Sequence, residues 1–250
     1  MAHAPFQALA VNHTGCDYFV GDIHGEFEKL RIELNMKGFR PDKDRLISVG
    51  DLVDRGRRSA QAEEWLQLPY FYAVRGNHEE LYLQWRNLGG QREQQKIFEQ
   101  DIYFPNGGDW VKKVNELDHL QLEKALERLP YMIVVPSKDG SLVAAVHAQL
   151  PDGSSWPQLI NQPFDGKMIE EMTWSRNRMH HHTGHKSATP VWDEGIIPGL
   201  EAVVCGHYVV NRPTWVGHFC YIETAGWRPG GRFSILSLSQ IVKTQKQLSI

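Results

Sequence analysis

Tyr18-Phe19-Val20-Gly21-Asp22-Ile23-His24-Gly25 is the stretch that decides how this chain folds. An aromatic and β-branched run stops at a glycine, which reads as a strand entering a turn, and polar residues follow at the strand's end. The arrangement returns twice. Arg45-Leu46-Ile47-Ser48-Val49 leads into Gly50-Asp51-Leu52-Val53-Asp54-Arg55-Gly56, and Phe71-Tyr72-Ala73-Val74 leads to Gly76-Asn77-His78-Glu79. Helical periodicity follows each block: 26–36, with Phe27, Leu30 and Leu34 on one face, then 59–68, with Ser59 as N-cap, then 79–87. Strand, polar block and helix in repeated order predict an α/β layered fold with the blocks at the carboxyl ends of strands, where ligands gather.

Beyond Gly89-Gly90 the pattern becomes more helical, at 91–100 and at 117–129, with a turn at Pro105-Asn106-Gly107-Gly108 between them. Strand-like runs resume at 132–135, 142–146 and 202–205, and several short ones occupy 208–238, the last at 233–238. The stretch 154–195 reads as loop-rich. No internal repeat, low-complexity tract or linker interrupts the chain, so 1–250 is expected to form a single domain.

Composition narrows the classes. At 250 residues, 41% hydrophobic and 23% charged, the chain can bury a substantial core. A net charge of -3 argues against a non-specific nucleic-acid binder, which would be basic. No run approaches the roughly 20 apolar residues of a membrane span, and 1–10 lacks the features of a signal peptide. Cys16, Cys205 and Cys220 are odd in number and far apart, which predicts free thiols in a reducing compartment. A cytoplasmic protein with no nucleic-acid or membrane partner is expected, and nothing requires more than a monomer.

Asp22, His24, Asp51 and Asn77 in the three blocks, with His147 in Val146-His147-Ala148 and His207 in Gly206-His207-Tyr208, offer carboxylate, imidazole and amide donors. That set suits two adjacent divalent ions, with manganese, iron and zinc all compatible. Asp22 and His24, two apart on an extended segment, would hold the first ion with Asp51. Asp51 would bridge, its charge offsetting metal–metal repulsion, and Asn77, His147 and His207 would complete the second. Paired ions ionise a shared water near neutral pH and so supply a nucleophile for attack on phosphorus. His78 is then the candidate acid for the leaving alkoxide, Asp54 its partner, and Arg55 a fork for phosphate oxygens.

The blocks resemble the signatures of the phosphoprotein phosphatase family within the metallophosphoesterase superfamily, and most of all the bacterial and bacteriophage-lambda type of serine/threonine protein phosphatase. Later landmarks extend the resemblance over roughly 16–240: Asn106-Gly107-Gly108-Asp109-Trp110, Leu129-Pro130, Gly206-His207 and Tyr221-Ile222-Glu223-Thr224. It implies a β-sandwich flanked by helices, rather than a simple parallel sheet, and two metal ions, manganese first. It assigns the ligand and acid roles to the same residues, and adds a second phosphate-binding arginine, Arg176, with Arg178 as fallback. Gln149 and Tyr208 depart from the family pattern, which puts substrate preference in doubt rather than catalysis. The implied activity is hydrolysis of phosphoserine and phosphothreonine in proteins or peptides. The alternatives are a dinucleoside polyphosphate hydrolase or broad phosphatase, and a non-catalytic binding protein on the same scaffold.

Other conspicuous residues have plainer readings. His180-His181-His182 and His185 could form an accessory metal site, but adjacent histidines rarely chelate one ion, and a solvated loop accounts for them. Trp174, Trp192, Trp215 and Trp227 could line a peptide surface, although core or rim packing is the usual fate of such residues.

Overall fold

A computed structural model describes residues 5–187 and 195–248. Its strands are β1 (Phe6–Ala8), β2 (Asp17–Val20), β3 (Arg45–Ser48), β4 (Phe71–Ala73), β5 (Met132–Pro136), β6 (Leu142–Val146), β7 (Ala202–Cys205), β8 (Thr214–Val216), β9 (Phe219–Tyr221) and β10 (Ile235–Ser237). Its α-helices are α1 (Phe27–Met36), α2 (Ala62–Leu66), α3 (Asn77–Asn87), α4 (Arg92–Phe98), α5 (Glu116–Leu126), α6 (Trp156–Asn161), α7 (Gly166–Trp174), α8 (Asn177–His182) and α9 (Leu238–Leu248).

The strands form two sheets, in the orders β10-β2-β3-β4 and β1-β5-β6-β7-β9-β8. β2, β3 and β4 run parallel, as the repeated strand–block–helix pattern predicts, and β10 closes their edge antiparallel. In the larger sheet β6, β7 and β9 run parallel. Side-chain alternation shows why the sheets face each other. Phe19, Ile47 and Val74 from one sheet share a buried cluster with Ile133, Val143, Val204 and Cys220 from the other. Their strand neighbours point outward: Val20 and Leu46 meet α1, α2, α3 and α5, while Val134, Ala144 and Phe219 meet α6, α7 and α8. Phe19 and Ile47 are wholly buried, each contributing roughly 1.5–3 kcal/mol of transfer energy. This is a sandwich with helices on both outer faces, not a single parallel sheet.

Three expectations are corrected. The stretch read as loop-rich contains α6, α7 and α8, each of nine residues or fewer, too short to display a clear apolar period. The 233–238 run ends its strand at Ser237 and continues into α9. Leu238, Ile241, Val242 and Gln245 are the buried positions of that helix, spaced i, i+3, i+4, i+7. Ser59 opens a short 3-10 segment rather than capping a helix, its hydroxyl donating to Gly56 O at 2.8 Å.

Candidate metal centre

The polar blocks meet at one end of the sandwich. Asp22 and His24 follow β2, Asp51, Asp54 and Arg55 follow β3, and Asn77 and His78 open α3 after β4. From the other sheet His147 follows β6 and His207 follows β7. The backbone turns sharply at these positions: His24, Asp51, Asp54, Arg55 and His207 all have positive φ, between 47° and 68°. Left-handed residues other than glycine cost roughly 1–3 kcal/mol each, so the surroundings must hold them.

Two buried carboxylates help to do so. Glu79 accepts the backbone N–H groups of Asp51 at 2.9 Å and Gly76 at 2.8 Å on one oxygen, and that of Leu52 at 2.7 Å on the other. Glu223 accepts the Asp22 N–H at 2.8 Å and the Trp227 indole N–H at 3.2 Å. Burial pushes both carboxyls up to about 7. Two glycines let the chains close in. A Cβ on Gly76 would lie 2.3 Å from Asp51 Oδ1, and one on Gly206 would lie 2.2 Å from Asp22 Oδ1.

Carbonyl groups fix the histidine tautomers. His147 Nδ1–H donates to Val49 O at 2.8 Å, and His207 Nε2–H donates to Trp174 O at 3.1 Å. Burial lowers both pKa values, keeping the rings neutral. The nitrogens left over, His147 Nε2 and His207 Nδ1, are therefore bare lone pairs, and they lie 3.1 Å apart. Asp51 Oδ1 is 3.3 Å from His147 Nε2, and Asn77 Oδ1 lies 2.8 and 3.0 Å from the two nitrogens. Acceptors so crowded repel one another. A cation among them turns the repulsion into coordination, with the second partner of each ring already in place. The residues thus fit a divalent metal.

His24 repeats the device. Its Nδ1–H donates to Val53 O at 2.8 Å, and its Nε2 lies 3.6 Å from Asp51 Oδ2. Asp51 belongs to both donor groups that the structure brings together, His24–Asp51–His78 and Asp51–His147–His207. The first of these contains His78 where the sequence pointed to Asp22. Asp22 is buried beside the same centre, its Oδ1 accepting the His207 backbone N–H at 3.2 Å. Burial, with the Glu223 and Asp51 charges, pushes its carboxyl well above the usual range, and a nearby cation would oppose that.

On the other flank, His78 Nδ1 and Asp54 Oδ2 are 2.8 Å apart. The second Asp54 oxygen accepts the Tyr103 hydroxyl at 3.1 Å and the Trp110 indole N–H at 2.7 Å. Burial works against protonating His78, but the Asp51 and Asp54 charges outweigh it and raise its pKa. Arg55 bridges the front of the site, Nη1 at 2.6 Å from His24 Nε2 and Nη2 at 3.0 Å from His78 Nε2, with its guanidinium 4.7 Å from the Trp227 ring.

Arg176 and Arg178 part company. Arg178 is buried, paired with Asp152 at 2.6 Å and stacked 4.2 Å over Phe219, so the fallback phosphate ligand is a structural residue. Arg176 is exposed at the start of α8 and close enough for its charge to lower the His207 and His180 pKa values. Gln149 accepts the Arg178 backbone N–H at 3.1 Å and so holds α8 in place. His180 and His185 stack at 4.4 Å and both approach Ser187 Oγ, while His181 and His182 form no metal-like group among the described residues. Trp192 lies outside the described residues.

Sequence reasoning missed the roles of Glu79, Glu223, Tyr103, Trp110 and Trp227. Glu79, Trp110 and Glu223 sit in motif stretches that could have flagged them. Tyr103, in a π-type turn at Glu99–Tyr103, carries no local signal.

Residues 18–211 match the Calcineurin-like phosphoesterase family. The chain belongs to that family. Proteins similar to it include the serine/threonine-protein phosphatase 2 of Salmonella typhimurium, 30% identical over 219 residues, covering 85% of this chain and 88% of that protein. A shorter match, 48% identical over 60 residues and 24% of this chain, links it to 20% of the symmetrical bis(5'-nucleosyl)-tetraphosphatase of Shewanella sediminis. A crystal structure provisionally assigned as a diadenosine tetraphosphatase superposes with a TM-score of 0.62 at 22% identity, covering 94% of this chain and 98% of that one, and so shares the fold. The protein is a metallophosphoesterase with a fold of the calcineurin type.

Proposed function

We propose that this metallophosphoesterase hydrolyses phosphoserine and phosphothreonine in proteins or peptides, as a cytoplasmic, monomeric, single-domain enzyme (1–250, core about 16–240) using two divalent ions, manganese first. The near full-length similarity to a serine/threonine-protein phosphatase supports the substrate. Asp22, His24 and Asp51 would hold one ion, and Asp51, Asn77, His147 and His207 the other. When bound, the ions supply Lewis acidity at the phosphoryl oxygens and a nucleophile from water. The chain's own residues do the rest. Arg55 presents a two-pronged donor to the phosphoryl oxygens, and Arg176 offers a second from the rim. His78 delivers a proton from Nε2 to the departing oxygen, while Asp54 holds the Nδ1–H and stabilises the charged ring.

The dinucleoside polyphosphate reading stands level with this one. It needs the same donors and acid, and the local 48% identity with a tetraphosphatase favours it. The deciding experiment gives the metal-stripped protein manganese and measures phosphate release from a phosphoserine peptide beside hydrolysis of diadenosine tetraphosphate. Higher kcat/KM on the peptide supports the protein phosphatase; higher kcat/KM on the dinucleotide overturns it.

A further inference from the structure

A cavity of about 540 Å³ opens beside the metal centre, walled by the loop after β3 and by Trp227. Arg55 belongs to both places. Its guanidinium reaches His24 and His78 and also lies over the Trp227 ring, which Arg228 approaches at 4.9 Å. Arg57 and Arg58 line the same cavity. Arg58 shares Glu28 with Arg31, at 3.6 and 4.0 Å. Arg57 makes no side-chain hydrogen bond or ion pair among the described residues. Three guanidinium groups, from Arg55, Arg57 and Arg58, thus line the cavity against two carboxylates, Glu26 and Glu28, and Arg228 adds a fourth positive charge beside the Trp227 wall. The chain as a whole is acidic, at -3, so this is a local reversal of charge. It lies next to where a dianionic phosphoryl group must sit. A cleft with charge of one sign concentrates the opposite charge.

We propose that this cavity is a second-anion subsite: it receives a further phosphate or carboxylate carried by the substrate next to the scissile phosphoryl group. The inference rests on the phosphoesterase chemistry but on neither choice of substrate. In a peptide the second anion is an acidic or phosphorylated side chain near the reacting one. In a dinucleotide it is the polyphosphate chain itself.

The experiment is a set of kcat/KM ratios, each taken on one protein. Wild-type enzyme with manganese is given a phosphoserine peptide flanked by alanines, the same peptide with aspartate or phosphoserine one to three positions away on either side, and diadenosine tetraphosphate beside p-nitrophenyl phosphate. The set is repeated for the double variants Arg57→Ala/Arg58→Ala and Arg57→Gln/Arg58→Gln. A fold defect lowers numerator and denominator together, so the ratio reads the subsite alone. The wild type is expected to favour a second-anion substrate about fivefold, the scale of one or two exposed charge contacts. That preference should fall to about one in both variants and weaken at high salt. A wild-type ratio near one for both anion sources overturns the subsite, and so does a ratio that survives both double substitutions. An arginine-dependent preference confined to the dinucleotide keeps the subsite and assigns it to the polyphosphate chain.

Discussion

The two flanks of the metal centre are built on opposite plans. On the Asp54–His78 flank each polar atom faces a complementary one: Tyr103 and Trp110 donate to one Asp54 oxygen and His78 pairs with the other. On the His147–His207 flank bare nitrogens and oxygens face one another. The first flank is complete as protein and holds the His78 ring in place. The second gathers acceptors that could hold a cation. Asp51 touches both, being 3.3 Å from His147 and 3.8 Å from His78.

Breaking the shared residue should therefore have the largest effect. Asp51→Asn is expected to abolish metal-dependent turnover, by more than the roughly 10²–10⁴-fold that a lost proton donor costs, and to lower bound metal measured by elemental analysis. His78→Asn should cost within that range while metal content stays at the wild-type level. Equal metal loss in both variants would erase the distinction between the flanks.

Tyr103→Phe and Trp110→Phe sharpen the comparison. Each leaves Asp54 with one donor fewer, and about a tenfold fall in kcat is expected, in line with a lost hydrogen bond to a charged group. The fall should be larger on a phosphoserine peptide than on 2,4-dinitrophenyl phosphate, whose leaving group needs no proton. An equal fall on both esters would mean that the two side chains only support the fold.

Stability separates the flanks as well. Manganese at about 100 times its dissociation constant should stabilise the wild-type protein by about 2.7 kcal/mol per site, read as a rise in Tm that Asp51→Asn lacks. The smallest functional effect belongs to the two arginines behind the second flank. Arg178→Ala removes a buried partner of Asp152 and should cost about 3 kcal/mol of stability, whereas Arg176→Ala should leave stability alone and raise KM. The reverse pattern would exchange their roles.

The same contrast explains what could be read from the sequence. Blocks such as Gly76-Asn77-His78-Glu79 announce themselves because a tight turn, the donor atoms and the start of a helix are consecutive in the chain. The candidate donors stand out in the sequence for that reason, and His147 and His207 because each follows an apolar strand. The sandwich was not legible from periodicity, since β6 pairs with β7 some sixty residues later, Val143 opposite Ala202, and nothing local encodes that register. Tyr103 reaches Asp54 across 49 positions from a turn with no motif. Arg176 and Arg178 are two residues apart across the start of one short helix, and only packing against Asp152 and Phe219 tells them apart. α9 was missed although its i, i+3, i+4, i+7 pattern was present, because the strand before it ends without a turn signal.

A bridged pair of metal ions underlies these expectations, and calorimetric titration of chelator-stripped protein with manganese tests for it. It predicts two equivalents bound per wild-type chain and neither bound tightly by folded Asp51→Asn. One equivalent or none in the folded wild type, or two in the Asp51→Asn chain, would contradict it.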